Sequence, residues 1–362
     1  MSRSEAPPGN GDGRCAWAWF SSARRVYGAP CVVLMSLLVA CTDPVDAAPP
    51  RRDPHDPADQ GTPFALGVNL PWIDYGVDFH ATAWGDDTLS AHPDDVAARL
   101  GDLRAHGVRS VRWWLFGDGR AAPRFTGEGV PVPLRADDEI TANFLLMLDL
   151  AEAADLTVMP VVVDFGWCAA PQEVNGVTLG GHAGVFADPV RRAALIDDVL
   201  IPLATSAADR PALAAWDLIN EPEWAFDGEL YGLGDHCDAA DVVAYVGEAT
   251  AGLASVNDTP VSVGSASYAW MVQYWLDAAP PILQFHDYWE DLATLDADLG
   301  KPVILGEFPT QDQDLSATLD TAWAGGFAGA LPWSAYAEDD ATALDLDELS
   351  AWEADHEVGG GY

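Results

Sequence analysis

Val108-Arg109-Ser110-Val111-Arg112-Trp113-Trp114-Leu115 and Thr157-Val158-Met159-Pro160-Val161-Val162-Val163-Asp164 are two short runs rich in apolar residues. Between them Ile140, Phe144, Met147, Leu148 and Ala151 recur at helical spacing and form one apolar face. Such runs read as strands covered on both sides, and a helix between them is the crossover that parallel strands require. The alternation continues in both directions. Residues 65–70 read as a strand, followed by a helix carrying Val96, Leu100 and Leu103. Further strands are expected at 213–220, 260–264, 282–286, 302–306 and 327–333, with helical stretches that include 189–204, 241–255 and 315–324. Eight strands, each followed by a helical pattern, predict an α/β fold closed as a (β/α)8 TIM barrel rather than an open doubly wound sheet. A dinucleotide-binding sheet would also carry a glycine-rich turn after its first strand, and Asn69-Leu70-Pro71-Trp72 is not one.

The 362 residues include 57 Asp+Glu against 17 Lys+Arg, a formal net charge of −40, yet 49% are hydrophobic and 15 are Trp. That much apolar and aromatic matter can fill a large core and excludes a disordered chain. The charge excludes nucleic acid as a partner, because phosphate binding needs clustered Lys and Arg, and it disfavours an anionic membrane surface. Residues 64–357 show no second linker and no repeat, so they read as one catalytic domain, and 358–362 as a flexible tail.

Arg24 and Arg25 precede an apolar run that ends Leu38-Val39-Ala40-Cys41. A charged start, a short apolar stretch and small residues at its end describe an export signal over residues 1–40. Leu-Val-Ala-Cys resembles the bacterial lipobox, which implies lipidation of Cys41; the other reading is an ordinary signal peptide that happens to contain this cysteine. Residues 41–63, rich in Pro and Asp, read as an extended, solvated tether. The chain is therefore expected to be exported and held at the membrane, through its N-terminal lipid only, facing the periplasm or the cell exterior.

In a barrel of this kind the active site sits at the C-terminal ends of the strands. The fourth strand ends Trp216-Asp217-Leu218-Ile219-Asn220-Glu221-Pro222 and the seventh Val303-Ile304-Leu305-Gly306-Glu307-Phe308-Pro309. Either glutamate alone could be a solvated loop residue. Two carboxylates held about 5–5.5 Å apart are the apparatus of retaining glycoside hydrolysis, in which one protonates the leaving oxygen and the other attacks the anomeric carbon.

Asn-Glu-Pro after strand four and Gly-Glu-Phe after strand seven resemble the clan A glycoside hydrolases, most closely family 5, which holds many cellulases and β-mannanases. The resemblance spans all eight strands. It implies that Glu221 is the general acid/base and Glu307 the nucleophile, and that Asn220 hydrogen-bonds the sugar 2-hydroxyl. Gly107-Val108-Arg109-Ser110-Val111-Arg112-Trp113 matches the family's second strand, which implies that Arg112 holds the nucleophile ionised; a structural ion pair is the other role open to Arg112. His286 and Tyr288 match the His-x-Tyr ending strand six, with Tyr288 bonding the nucleophile, and Trp333 matches the tryptophan that floors the subsite of the cleaved sugar. The family usually has a histidine just after strand three. Here Asp164-Phe165-Gly166-Trp167 follows, so Asp164 or Trp167 takes its place, or the chain belongs to a divergent subfamily.

Trp72, Trp167, Trp224 and Trp289 fall in expected loops and are candidates for stacking on sugar rings; core packing is the alternative for each. Cys168 and Cys237 follow neighbouring strands three and four, and in an exported protein they are expected to form a disulfide. No His-Glu-x-x-His occurs and the histidines are scattered, so neither a metal nor another cofactor is expected. The expected partner is a neutral oligo- or polysaccharide, bound by a monomer that cleaves β-linked glucan or mannan by double displacement. Two other functions stay open: a polysaccharide-binding lipoprotein on an inactive barrel, and a transglycosylase.

Overall fold

In the computed structural model, which describes residues 63–226, 236–337 and 341–362, eight short strands form the barrel of a nine-stranded sheet. They are β1 (Phe64–Asn69), β2 (Ser110–Trp114), β3 (Thr157–Asp164), β4 (Trp216–Asn220), β5 (Val261–Ser265), β6 (Leu283–His286), β7 (Val303–Glu307) and β8 (Gly329–Ala330). Only the two ends of β3 escape burial. Neighbours pair in parallel in chain order, and β8 returns to β1 through Ala65↔Gly329 and Leu66↔Ala330, so the sheet closes. The expected (β/α)8 barrel is borne out. The expected export signal over residues 1–40, the lipidation site Cys41 and the tether as far as residue 62 lie outside the described residues.

The outer helices are α1 (Pro93–Ala105), α2 (Glu139–Ala153), α3 (Pro189–Leu195), α4 (Ile201–Ser206), α5 (Ala239–Ala254), α6 (Leu315–Gly325) and α7 (Leu346–Ala354). Between α3 and α4 lies one π-helical turn, Ile196–Leu200. Pro202 explains it: a proline donates no N–H, and its ring would meet the carbonyl four residues back, so the coil widens before it. Not every strand is followed by a helix. Between β6 and β7 there is only a 3-10 turn, Leu292–Thr294. Asp287, Asp291 and Asp296 each accept a hydrogen bond from a backbone N–H two residues on, at Trp289, Ala293 and Asp298. Those local bonds compete with a helical ladder. β8 is likewise shorter than expected, because Pro332 has no N–H to continue the ladder.

The barrel interior is layered. Met159, Ala215, Ile282 and Ile304 form an apolar floor against which Tyr362 packs, its hydroxyl donating to Ser110 Oγ at 2.9 Å. Residues 358–362 are thus not a loose tail: Val358–Gly359 pairs with β1, and the ring beyond it closes the barrel floor. Their small and aromatic residues fit a site that a charged tail would not. Above the floor lies a polar layer in which Asp217 Oδ2 accepts from Arg112 Nε (2.9 Å) and Gln284 Nε2 (2.9 Å), and Asp217 Oδ1 from the Gly264 N–H (3.0 Å). The layer is tight enough to demand glycine. A Cβ on Gly264 would lie 2.6 Å from Arg112 Nη2, and one on Gly306 would lie 2.5 Å from Gln284 Cγ.

Candidate active site

Glu307 ends β7 and Glu221 follows the last residue of β4, so both side chains stand on the C-terminal rim of the barrel, buried. Arg112, wholly buried on β2, joins the rim to the polar layer below it. Its Nη1 donates to Glu307 Oε1 at 2.6 Å and to Asn69 Oδ1 at 3.0 Å, and its Nη2 donates to Asn220 Oδ1 at 2.6 Å. The Asn69 amide in turn donates to the Gly306 and Leu331 carbonyls. The guanidinium lies over the Trp114 ring, 4.3 Å from its centroid, which holds its plane. Both roles considered for Arg112 therefore coincide: it is ion-paired to Asp217 and to Glu307. Asp217 keeps the cation tethered from below. Removing either anion would leave part of a buried charge uncompensated.

Glu307 Oε2 accepts from the Tyr288 hydroxyl at 2.9 Å. Burial pushes the Glu307 carboxyl above its ordinary range, and the Arg112 cation pulls it back. Glu221 is held differently. Its Oε2 accepts from Trp224 Nε1 at 3.0 Å, and His286 Nδ1 lies 2.8 Å from its Oε1. Burial raises the Glu221 carboxyl to about 7, against the Trp224 hydrogen bond and the more distant Arg112. Burial also lowers His286 to about 4, so its imidazole is neutral. Its Nε2 has no partner among the described residues, so a proton on Nδ1, donated to Glu221, uses the ring best. One oxygen of each carboxylate and a ring nitrogen of His286 lie within 4.8 Å of one another. These are metal-donor types, but a guanidinium 2.6 Å from one of the carboxylates already supplies the positive charge, which disfavours a second cation there.

The backbone at Glu221 is left-handed, with φ +46°, although the residue is not glycine and precedes a proline. Such a conformation costs about 1–3 kcal/mol and persists only where the surroundings enforce it. Its N–H donates to the Gly264 carbonyl across a shift in the β4–β5 register. The distortion turns the side chain towards Glu307 instead of continuing the strand.

The structure brings together Glu221 and Glu307, expected from the strand ends, with Arg112, Asn220, His286 and Tyr288, which the family resemblance implied. Trp333 lies buried at the same rim, edge-on to Trp114 at 5.6 Å. Of the two residues considered in place of the family's histidine, Asp164 reaches the site: its Oδ2 accepts from Asn220 Nδ2 at 2.9 Å and its Oδ1 from the Gly166 N–H at 2.8 Å. Burial raises Asp164 to about 7. Trp167 does not reach it, and its expected part in sugar stacking is corrected. A 3-10 turn, Phe165–Cys168, folds its ring inward among Phe116, Phe125, His182 and Phe186, fully buried. Trp224 is also buried, so it offers Glu221 an N–H rather than a sugar a ring face; Trp72, half-buried, stands edge-on to Tyr75 at 4.5 Å. Trp289 is 59% exposed beside Trp224, at 6.0 Å. Cys168 and Cys237 are bonded to each other, with Cα atoms 5.7 Å apart.

Four site residues carried no assignment from the sequence: Asn69, Asp217, Glu223 and Gln284. Asp217 had a signal, an acid in the middle of an apolar strand where only a buried cation could justify it. Glu223, which follows Pro222 just beyond the strand, carries no signal in the local sequence.

No family model matches the chain. Over 160 residues, 44% of its length, it is 27% identical to a mannan endo-1,4-β-mannosidase of Mytilus edulis, covering 40% of that protein. A mannan endo-1,4-β-mannosidase of Cryptopygus antarcticus matches a stretch of the same length at 24% identity, with 38% of that protein covered. The chain thus spans well under half the length of the curated relatives it matches. Among solved structures, the β-mannanase of the mussel superposes with a TM-score of 0.66 and 20% identity, over 82% of this chain and 93% of that one. An endo-1,4-β-mannanase from Eisenia fetida gives 0.65 and 21%, over 83% and 93%. The chain shares its (β/α)8 fold with these β-mannanases, and the expected resemblance to β-mannanase-like clan A glycoside hydrolases is borne out as a similarity to these relatives.

Proposed function

We propose that this chain is a retaining glycoside hydrolase acting on β-linked mannan. The observation that carries the reading is two facing buried carboxylates held differently: Glu307 accepts from the Arg112 guanidinium at 2.6 Å, whereas Glu221 accepts from the Trp224 N–H at 3.0 Å. Glycosidic oxygen is a poor leaving group, so Glu221 protonates it while Glu307 attacks the anomeric carbon. Glu221, having lost its proton, then takes one from the water that cleaves the glycosyl-enzyme. Carboxylate oxygens within 4.8 Å favour direct attack over a water held between the carboxylates. Mannan is preferred to glucan because the relatives matched in sequence are mannan endo-1,4-β-mannosidases. Asn220, His286, Tyr288 and Trp333 bind or orient the sugar, and Trp72 and Trp289 present rings to it further out.

Reducing-sugar release from a panel of neutral polysaccharides tests the reading. Release from β-mannan well above that from β-glucan is expected; release from neither refutes it. The same reading has the chain exported and lipidated at Cys41, so Cys41→Ser should move activity from the membrane fraction to the soluble exported fraction. Unchanged partitioning would refute the anchor.

A further inference from the structure

Glu223 is a fully buried acid of the site that neither takes part in the double displacement nor pairs with Arg112. It begins the helical turn Glu223–Phe226, two residues beyond Glu221. Its Oε1 accepts from Ser265 Oγ at 2.8 Å and from Trp275 Nε1 at 2.5 Å, and its Oε2 from the Ala266 N–H at 3.0 Å. The Glu221 N–H meanwhile donates to the Gly264 carbonyl. The two glutamates that flank Pro222 are therefore tied to three consecutive residues, Gly264, Ser265 and Ala266, at the end of β5. Between those two ties the chain adopts the left-handed conformation at Glu221, which neither the residue type nor the following proline favours. A carboxyl group that accepts three hydrogen bonds is a firm anchor, and these bonds oppose the rise to about 7 that burial gives it.

We propose that Glu223 is a positioning residue for the acid/base: it pins the turn after Pro222 to β5, and that second tie holds Glu221 in the conformation that aims it at the scissile oxygen. The role rests on the assignment of Glu221 made above. It goes beyond that assignment because Glu223 touches neither the facing carboxylate nor the space between them. Glu223→Gln keeps the shape of the side chain but replaces an acceptor by an NH2 group facing a donor, so one of the three bonds becomes a repulsion. The turn then relaxes and Glu221 loses its aim.

The test separates aim from mere folding by varying the leaving group. A β-manno-oligosaccharide needs the acid to depart, whereas a dinitrophenyl β-mannoside does not. Glu223→Gln should lower kcat/KM on the oligosaccharide about 100-fold and on the dinitrophenyl mannoside less than about threefold. Ser265→Ala, which removes one donor and leaves the charge alone, should show the same asymmetry at smaller size and serves if the first variant does not fold. Equal losses on both substrates, in whichever variant folds, would overturn the positioning role while leaving the hydrolase reading intact. A parent protein inactive on both substrates would overturn the hydrolase reading and this role with it.

Discussion

Trp224→Phe isolates one hydrogen bond and has a calculable consequence. The substitution keeps an aromatic ring against Trp270, which the indole meets edge-on at 5.0 Å, but removes the N–H that Glu221 Oε2 accepts at 3.0 Å. A hydrogen bond to a charged acceptor contributes about 1.5–3 kcal/mol and one to a neutral acceptor about 0.5–1.5 kcal/mol. Losing it therefore disfavours the carboxylate, relative to the carboxylic acid, by about 1–1.5 kcal/mol. One pKa unit corresponds to about 1.4 kcal/mol, so Glu221 should rise by about one unit from its present value of about 7. In its proposed role as general acid, Glu221 must be protonated, so activity is lost as pH rises through its pKa. The assay is kcat/KM against pH on a manno-oligosaccharide, which reports the ionisations of the free enzyme. The descending limb should move upward by about one unit, while the ascending limb, assigned to the ionisation of Glu307, stays in place because the hydrogen bond removed goes to Glu221. A descending limb that stays within the error of the parent profile, or moves down, would refute the reasoning.

Asp217→Ala should cost about 3–5 kcal/mol of stability in denaturant unfolding, since it strips a buried guanidinium of the anion that holds it from below; a loss under about 1 kcal/mol would show that Arg112 is compensated elsewhere. Replacing Cys168 and Cys237 together by Ser should destabilise the protein by about 4 kcal/mol, the chain-entropy value for a bridge spanning 69 residues; an unchanged melting midpoint would contradict the bond's structural role. Tyr362→Ala should cost about 2–4 kcal/mol by opening the barrel floor beneath Met159 and Ile304, without changing the pH profile; wild-type stability would mean that the ring does not seal it.

The barrel and most of its rim were legible because each strand ends where its apolar run ends, so a polar residue at that point is a rim residue. Glu221 and Glu307 were found that way; Asn220, His286 and Arg112 came from the resemblance of their motifs to the family, and Arg112 sits inside its strand rather than at the end. What stayed hidden depends on packing across the molecule. Whether Trp167 faces solvent or core is decided by a 3-10 turn and by a bridge to Cys237, 69 positions away, and no local pattern carries that information. Trp224 reads as a sugar platform by its place in a loop; only the left-handed turn at Glu221 brings its N–H within reach of the carboxylate. Residues 358–362 lack an apolar run, yet Val358 and Gly359 pair with β1 and Tyr362 packs on the barrel floor. The missing helix between β6 and β7 was foreshadowed by its aspartates, which bond their own backbone.

The central claim, that Glu307 is the nucleophile and Glu221 the acid/base of a double displacement, is tested most directly by the stereochemistry of azide rescue. With dinitrophenyl β-mannoside as substrate, Glu307→Ala should be inactive until azide is added, and should then give the inverted α-mannosyl azide by a single displacement. Glu221→Ala should still form the glycosyl-enzyme and, with azide, release the retained β-mannosyl azide. A Glu307→Ala protein that hydrolyses the substrate near the parental rate, or that yields the β-azide, would contradict the account.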